Sequence, residues 1–164
     1  VLAATTLMTV AAPAQMEKAI ANGFEHRARF LEWYFAGTPL PAGWSEQPTV
    51  WLAAIALATI GSLVTGGLTG IWVIVTTANL TGYQMGALWE ALGTPTVFLI
   101  GLTPWSLLLL AGFATLTATL AEPAWRGGLR TGWAERRRPL LAGTALAAAG
   151  LLLLIFLPSY WHFG

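Results

Sequence analysis

The sequence of 164 residues contains no cysteine and no aspartate, and only 9% of its residues are charged. The absence of cysteine excludes disulfides, thiolate metal sites and cysteine nucleophiles. A soluble domain of ordinary composition has about 25% charged residues, so this chain has too little charge to cover the surface of a folded domain of its size. Its net charge of +1 gives no overall basic field, and we expect no nucleic-acid partner.

What the chain has in excess is apolar residues: 56% are hydrophobic and the mean hydropathy is +0.67. A membrane-spanning helix needs roughly 20 mostly apolar residues. The uncharged runs at residues 96–121 and 140–157 meet that requirement. Pro104 lies inside the first of them, which predicts a kink or a short irregular stretch before the helix proper. Pro139 is placed to open the second run.

Residues 49–88 form an uncharged run about twice as long as one span requires. Two adjacent glycines in the sequence TGGLTG, at residues 65–70, favour a turn. We therefore predict a Gly-rich helical hairpin with arms at about residues 50–65 and 69–88. Because the first arm is short, a re-entrant segment is the alternative.

The N-terminal residues 1–12 are apolar but too short to span a membrane alone. We interpret them as a partial first span, and the core of a signal segment is the alternative.

Residues 16–48 combine charges with aromatic rings. This pattern predicts an interfacial helix at about 16–36, followed by a connector rich in proline and glycine at 37–48. Its rings suit the headgroup level of a membrane. A short soluble segment packed on the chain's own helices is the alternative. The rings are Trp33, Tyr34 and Trp44.

Residues 122–139 contain five of the eight Lys and Arg residues. Loops next to membrane helices carry excess Lys and Arg on the cytoplasmic side. We therefore predict a cytoplasmic loop here and at the hairpin turn, with residues 13–48 and the C-terminus on the outer side of a bacterial plasma (inner) membrane. The loop also suits contact with anionic lipid or a partner. Its arginines are Arg126, Arg130, Arg136, Arg137 and Arg138.

The fold class predicted from these segments is all-α: a single polytopic membrane domain over residues 1–164, with four to five transmembrane helices and the interfacial helix. Four of the nine tryptophans lie near predicted span ends, where an aromatic belt would place them. These interface anchors are Trp51, Trp89, Trp125 and Trp161. No cofactor is predicted, although contact with lipid or pigment is compatible with so many rings.

Small residues recur every four positions in the hairpin, and such stripes let helix backbones approach closely in a membrane. The predicted helix-packing residues are Ser62, Gly66, Gly70, Ala78, Gly82 and Gly86, with Gly66 alternatively in the turn. Three polar side chains lie in the same region, Asn79, Thr81 and Gln84. Polar groups at membrane depth usually face protein or a water-filled cavity. The first environment implies interhelical hydrogen bonds, and the second a substrate or ion path.

The sequence offers no arrangement of residues suited to catalysis or to metal binding, so we predict no enzyme activity and no metal site. The only histidines, His26 and His162, lie outside the predicted spans, which disfavours a buried haem or chlorin. The spans contain no acid or base for proton transfer. Glu90 and Glu122 lie at span edges.

The order of segments resembles the stage II sporulation protein M-like family of bacterial membrane proteins, over about residues 20–160. The sequence NLTGYQMG, with Asn79, Gly82 and Gly86, matches the family's Asn/Gly motif, and Pro104 matches a family proline. The His-Gly and Glu after that proline are replaced here, at Trp105, Ser106 and Leu109. The resemblance implies an all-helical protein with about five spans that works with partners and without catalysis.

Together these patterns predict a non-catalytic accessory or scaffold subunit of a larger membrane complex, respiratory, photosynthetic or envelope-remodelling. Its expected partners are other membrane protein subunits and membrane lipids. The alternative is a small permease or transporter component with a polar site near Asn79.

Overall fold

A computed structural model describes residues 1–19, 23–36, 48–94, 101–126 and 133–157, and within these ranges every regular element is helical. The all-α class is therefore confirmed. The helices are α1 (Leu2–Ala11), α2 (Pro13–Ala19), α3 (Gly23–Ala36), α4 (Pro48–Ala56), α5 (Ser62–Thr65), α6 (Leu68–Leu92), α7 (Pro104–Arg126) and α8 (Trp133–Phe156). A π-helical turn, Leu57–Gly61, joins α4 to α5.

Two of the described helices are long and apolar enough to cross a membrane, over Pro104–Glu122 of α7 and Ala134–Phe156 of α8. Only 39% and 22% of their most apolar windows are buried, whereas the core helix of a soluble protein is mostly buried. Helix α6 has sufficient length, but Asn79 and Gln84 interrupt its apolar sequence. By length and composition, the described residues thus contain two spans, and the predicted number of four to five is not reached.

The helices on either side of the arginine-rich segment are longer than the sequence predicted. Helix α7 continues to Arg126 and α8 begins at Trp133, so Arg136, Arg137 and Arg138 are helical rather than in a loop. Alanine, glutamate and arginine are good helix formers, which explains the early start. Pro139 consequently lies inside α8 instead of opening it. Its missing N–H leaves the carbonyl of Glu135 without its usual partner, and its ring crowds that same carbonyl.

Proline opens α7 and does not kink it. The helix begins at Pro104, a first-turn position where the missing N–H costs nothing. It follows a short irregular stretch in which the Thr103 N–H donates to the Gly101 carbonyl at 3.0 Å. The sequence predicted either a kink or a short irregular stretch at Pro104, and the structure has the irregular stretch. Residues 96–100 of the predicted span lie outside the described residues.

The described residues form two compact units. The first takes its residues from Val1–Glu46, Ala78–Thr103 and Leu153–Gly164, and the second from Gln47–Thr77 and Pro104–Leu152.

In the first unit, the aromatic side chains of α3 pack together. Phe30 lies 5.6 Å from Trp33 and 6.3 Å from Tyr34 between ring centroids. Trp33 and Tyr34 are only 2% and 3% exposed, so their rings pack against protein, as in the alternative of a segment packed on the chain's own helices; their placement at headgroup level stays a prediction. Aromatic rings bury a large apolar area, and here that area is buried against protein.

In the second unit, the hairpin turns at Gly66 and Gly67, within the predicted TGGLTG sequence. Both residues have positive φ, 64° and 97°, which glycine adopts without a steric penalty. The Thr69 hydroxyl bridges the two arms, because it donates to the Leu57 carbonyl of the π turn at 3.0 Å. Gly66 thus belongs to the turn, and Gly70 packs between helices, against Ser62 and Thr117.

Helices α7 and α8 pack antiparallel in the second unit through small residues. A Cβ at Gly112 would lie 2.6 Å from the Ala147 nitrogen, and one at Gly143 would lie 3.0 Å from Leu116 Cγ. Such contacts show that the two backbones touch directly. The buried core of the unit comprises Ala58, Val73, Leu109, Phe113, Leu116 and Ala147.

Gly112→Val tests the α7–α8 contact. The added carbons meet the Ala147 backbone, which cannot rotate away, so the free energy of unfolding should fall by about 1–3 kcal/mol. The control Ala111→Val makes the same β-branched residue at a neighbouring exposed position and should change stability by less than about 0.5 kcal/mol. Thermal unfolding in mild detergent, followed by circular dichroism, measures both. Equal effects of the two variants would contradict the packing.

Candidate functional site: the small-residue face of α6

The C-terminal half of α6 has the most completely buried stretch in the first unit, with residues 81–88 all buried. Small residues at four-residue spacing place one narrow stripe on this helix, at Ala78, Gly82 and Gly86. Without side chains, the two glycines leave space for another helix to lie against the backbone. We describe this stripe and its neighbours as the α6 face.

Helix α1 occupies that space. A Cβ at Gly82 would lie 2.6 Å from the Leu2 carbonyl oxygen, and one at Gly86 would lie 3.0 Å from the Thr6 carbonyl oxygen. The two contacts advance together by four residues along both helices. Helices α1 and α6 therefore run parallel, backbone against backbone.

The polar groups of this contact satisfy one another. The Thr5 hydroxyl donates to Asn79 Oδ1 at 2.7 Å, across the two helices. Thr6 and Thr9 are fully buried, and their hydroxyls donate to the carbonyls of Leu2 and Thr5, at 2.9 and 2.8 Å. Hydroxyls that return to their own helix in this way leave no buried donor unpaired.

Thr81 and Gln84 complete the predicted polar group. They are 3% and 8% exposed, so both are buried within protein. Together with Asn79 they provide amide and hydroxyl groups only. Such groups form hydrogen bonds but do not ionise near neutral pH. In the described part of the chain no three His, Cys, Asp or Glu residues come together as a metal site.

Near the C-terminal end of α6, one arginine joins three helices. Arg27 of α3 donates from Nη1 to Glu17 of α2 at 3.0 Å and from Nη2 to Glu90 of α6 at 2.7 Å. Partial burial lowers the pKa of this guanidinium, but the hydrogen bonds and charges of Glu90 and Glu17 outweigh it and raise the pKa above its ordinary value. The arginine is thus a permanent positive charge between two carboxylates.

The remaining predicted site residues lie elsewhere. Trp89 is half-buried in α6, beside Glu90. Trp51, Trp125 and Arg126 belong to α4 and α7, but the structure does not describe their side chains; Arg130 and Trp161 lie outside the described residues. Arg136 approaches Glu122 at 3.8 Å, which continues the antiparallel register of α7 and α8. Arg137 and Arg138 are exposed.

The partner of the α6 face was not predicted from the sequence. Thr5 and Thr9 form a small-xxx-small pair that the same rule applied to α6 could have found. The Arg27–Glu90 pair had no sequence signal, because the two residues are far apart in the chain and nothing in their local patterns links them.

Comparison with protein-family models, with curated proteins and with solved structures finds no match to this chain. The resemblance to the stage II sporulation protein M-like family stays a prediction, and function rests on the geometry of the chain itself.

A double-mutant cycle tests the contact between Thr5 and Asn79. Thr5→Val keeps the shape and removes the donor, and Asn79→Leu removes the acceptor. We expect a coupling energy of about 0.6–1.7 kcal/mol in unfolding measurements in detergent, as for interhelical hydrogen bonds in membranes. Thr115→Val is the matched control, because that hydroxyl bonds only the Ala111 carbonyl of its own helix. A coupling near zero would show that the two residues do not interact.

Arg27→Met should release α3 from α2 and α6. Because the ion pairs are partly exposed, we expect a loss of about 1 kcal/mol in the free energy of unfolding. The loss should shrink in about 1 M salt, where the screening length is about 3 Å. Lys18→Met, at an exposed basic residue of α2, should cost little at either salt concentration. A loss that is independent of salt would indicate that Arg27 acts through packing instead.

Proposed function

We propose that this protein is a non-catalytic integral membrane protein of the bacterial inner membrane, an accessory or scaffold subunit that packs within a larger membrane complex. The observation that carries the proposal is that the polar side chains between α1 and α6 form hydrogen bonds within the protein. Asn79 accepts a hydrogen bond from the Thr5 hydroxyl of α1, and the Thr9 hydroxyl bonds within α1, in the close contact of the two helices. Polar side chains that hold two helices together serve a structural role, as a scaffold subunit requires.

The membrane placement draws support from the exposed apolar surface. In α7 and α8 most of the strongly apolar sequence faces outward, which water would oppose and lipid favours. The resemblance to the stage II sporulation protein M-like family, itself a prediction, agrees with this placement.

Two contacts agree with the predicted topology. A Cβ at Gly67 would lie 2.8 Å from Ala121 Cβ, so the hairpin turn lies beside the C-terminal part of α7. The prediction puts that turn and the end of α7 on the cytoplasmic side. It also requires residues 1–12 and the second arm of the hairpin to cross in the same direction, and α1 and α6 are parallel. These contacts agree on which helix ends share a side, and the arginine excess is the reason that the proposal keeps that side cytoplasmic.

The outward face of the hairpin is the surface that we assign to partner subunits. Helix α4, the π turn and α5 together span 18 residues, about 27 Å, which is slightly less than the hydrocarbon core of about 30 Å. The short arm leaves the hairpin turn at Gly66 and Gly67 near the edge of the hydrocarbon core, where irregular backbone is tolerated if protein covers it. On either side of the hairpin turn, Val64 and Leu68 are 76% and 69% exposed, and Trp72, one helical turn further along α6, is 61% exposed.

The alternative, a small permease, requires Asn79 to line a water-filled path. Its side-chain oxygen instead accepts the Thr5 hydroxyl, and the neighbouring glycines lie against α1. This arrangement favours the scaffold.

Purification of the tagged protein from native membranes in mild detergent, followed by quantitative mass spectrometry, tests the proposal. We expect other membrane subunits in stoichiometric amounts. Photo-crosslinkers at Val64 and Leu68 should give protein adducts, whereas the exposed Ala145 of α8 should give none and serves as the control. A partner-free particle, together with transport that Asn79→Leu abolishes, would overturn the scaffold in favour of the permease.

A further inference from the structure

A groove of about 560 Å³ runs along the first turns of α8. It is lined by Ala134, Arg137, Arg138 and Leu141. These positions follow the spacing of three and four residues that keeps side chains on one side of a helix. Both arginines are exposed, and Leu141 is 60% exposed.

The groove is positively charged. Among the described residues neither Arg137 nor Arg138 forms an ion pair, whereas the preceding Arg136 faces Glu122 at 3.8 Å. Glu135 is exposed in the first turn and makes no ion pair with either arginine. The N-terminal end of the helix adds a partial positive charge.

C-terminal to the arginines, the same side of α8 is apolar and exposed. The exposed stripe continues through Leu141, Ala145, Ala148 and Leu152. From Leu141 to Leu152 it measures about 16 Å along the helix, at 1.5 Å per residue. That length is about half of a hydrocarbon core of about 30 Å, which is one leaflet of a bilayer.

A soluble anion would use the two charges but make no contact with the apolar stripe. A phospholipid satisfies both parts, because its phosphate accepts hydrogen bonds from guanidinium groups and its acyl chain covers apolar side chains. We infer that this groove holds an anionic phospholipid, with its headgroup phosphate at Arg137 and Arg138 and an acyl chain along Leu141 to Leu152. The inference rests on the proposed membrane placement and does not depend on partner subunits.

Native mass spectrometry of the purified protein tests this site. The protein is released from micelles that contain equimolar phosphatidylglycerol and phosphatidylcholine with identical chains. We expect wild-type protein to retain phosphatidylglycerol preferentially. Arg137→Gln and Arg138→Gln should each lower that preference about fivefold, since a basic residue near an anionic membrane surface contributes about 1 kcal/mol. Arg137→Lys, which keeps the charge, should retain most of it.

The control Lys18→Gln removes one exposed positive charge from α2 and should leave the lipid preference unchanged. A loss as large as that of Arg137→Gln would mean diffuse attraction by the whole protein and would overturn the site. Equal retention of the two lipids by wild-type protein would also overturn it. So would displacement of phosphatidylglycerol by millimolar inorganic phosphate, because the groove would then recognise phosphate without the acyl chain. Thermal unfolding in pure phosphatidylcholine micelles should be unchanged in all variants, which separates lipid loss from misfolding.

Discussion

The close approach of helix backbones at small residues is the constraint on which the other contacts depend. In a membrane, lipid is as apolar as the helix surface, so helices gain little by hiding apolar side chains from it. Gly82 and Gly112 instead bring α1 onto α6 and α8 onto α7 at backbone contact. At that distance short hydroxyl and amide groups reach across, and van der Waals contacts accumulate along the whole interface.

The polar and charged groups of α6 form their contacts at the two ends of this close packing. Asn79 lies at the start of the α6 face, where the Thr5 hydroxyl meets it at 2.7 Å. At the other end, Arg27 connects Glu17 and Glu90. An interhelical hydrogen bond at Asn79, the small residues Gly82 and Gly86, and an ion pair at Glu90 thus succeed one another along α6. The described outer surfaces of α7 and α8 keep large apolar side chains such as Leu107 and Leu152 exposed. A molecule arranged in this way presents lipid-compatible surfaces and holds its own helices together.

Much of this could be predicted from the sequence where a local rule decides the outcome. The turn at Gly66 and Gly67, the start of α7 at Pro104 and the packing role of Gly82 and Gly86 follow from backbone sterics within a few residues. The early start of α8 was missed because Pro139 was taken to mark a helix boundary, whereas the good helix formers before it extend the helix back to Trp133. Trp33 and Tyr34 were assigned to the interface because amphipathic rings suit both headgroups and a protein core, and only the tertiary contacts separate the two environments. The pairing of Arg27 with Glu90 depends on how distant segments meet, which local patterns do not encode.

The most direct test of the account is disulfide crosslinking in carbonate-washed native membranes, which the natural absence of cysteine makes unambiguous. A protein with Thr5→Cys and Asn79→Cys should form an internal disulfide faster than a protein whose cysteines lie farther apart, because the two native side chains meet at 2.7 Å between α1 and α6. Moving the first cysteine one helical turn, to Thr9→Cys with Asn79→Cys, displaces it by about 6 Å and should slow the reaction strongly. If the two pairs react equally, or the displaced pair reacts faster, α1 does not meet α6 at Thr5 and Asn79 in the membrane. The polar groups of α6 would then be free for another role.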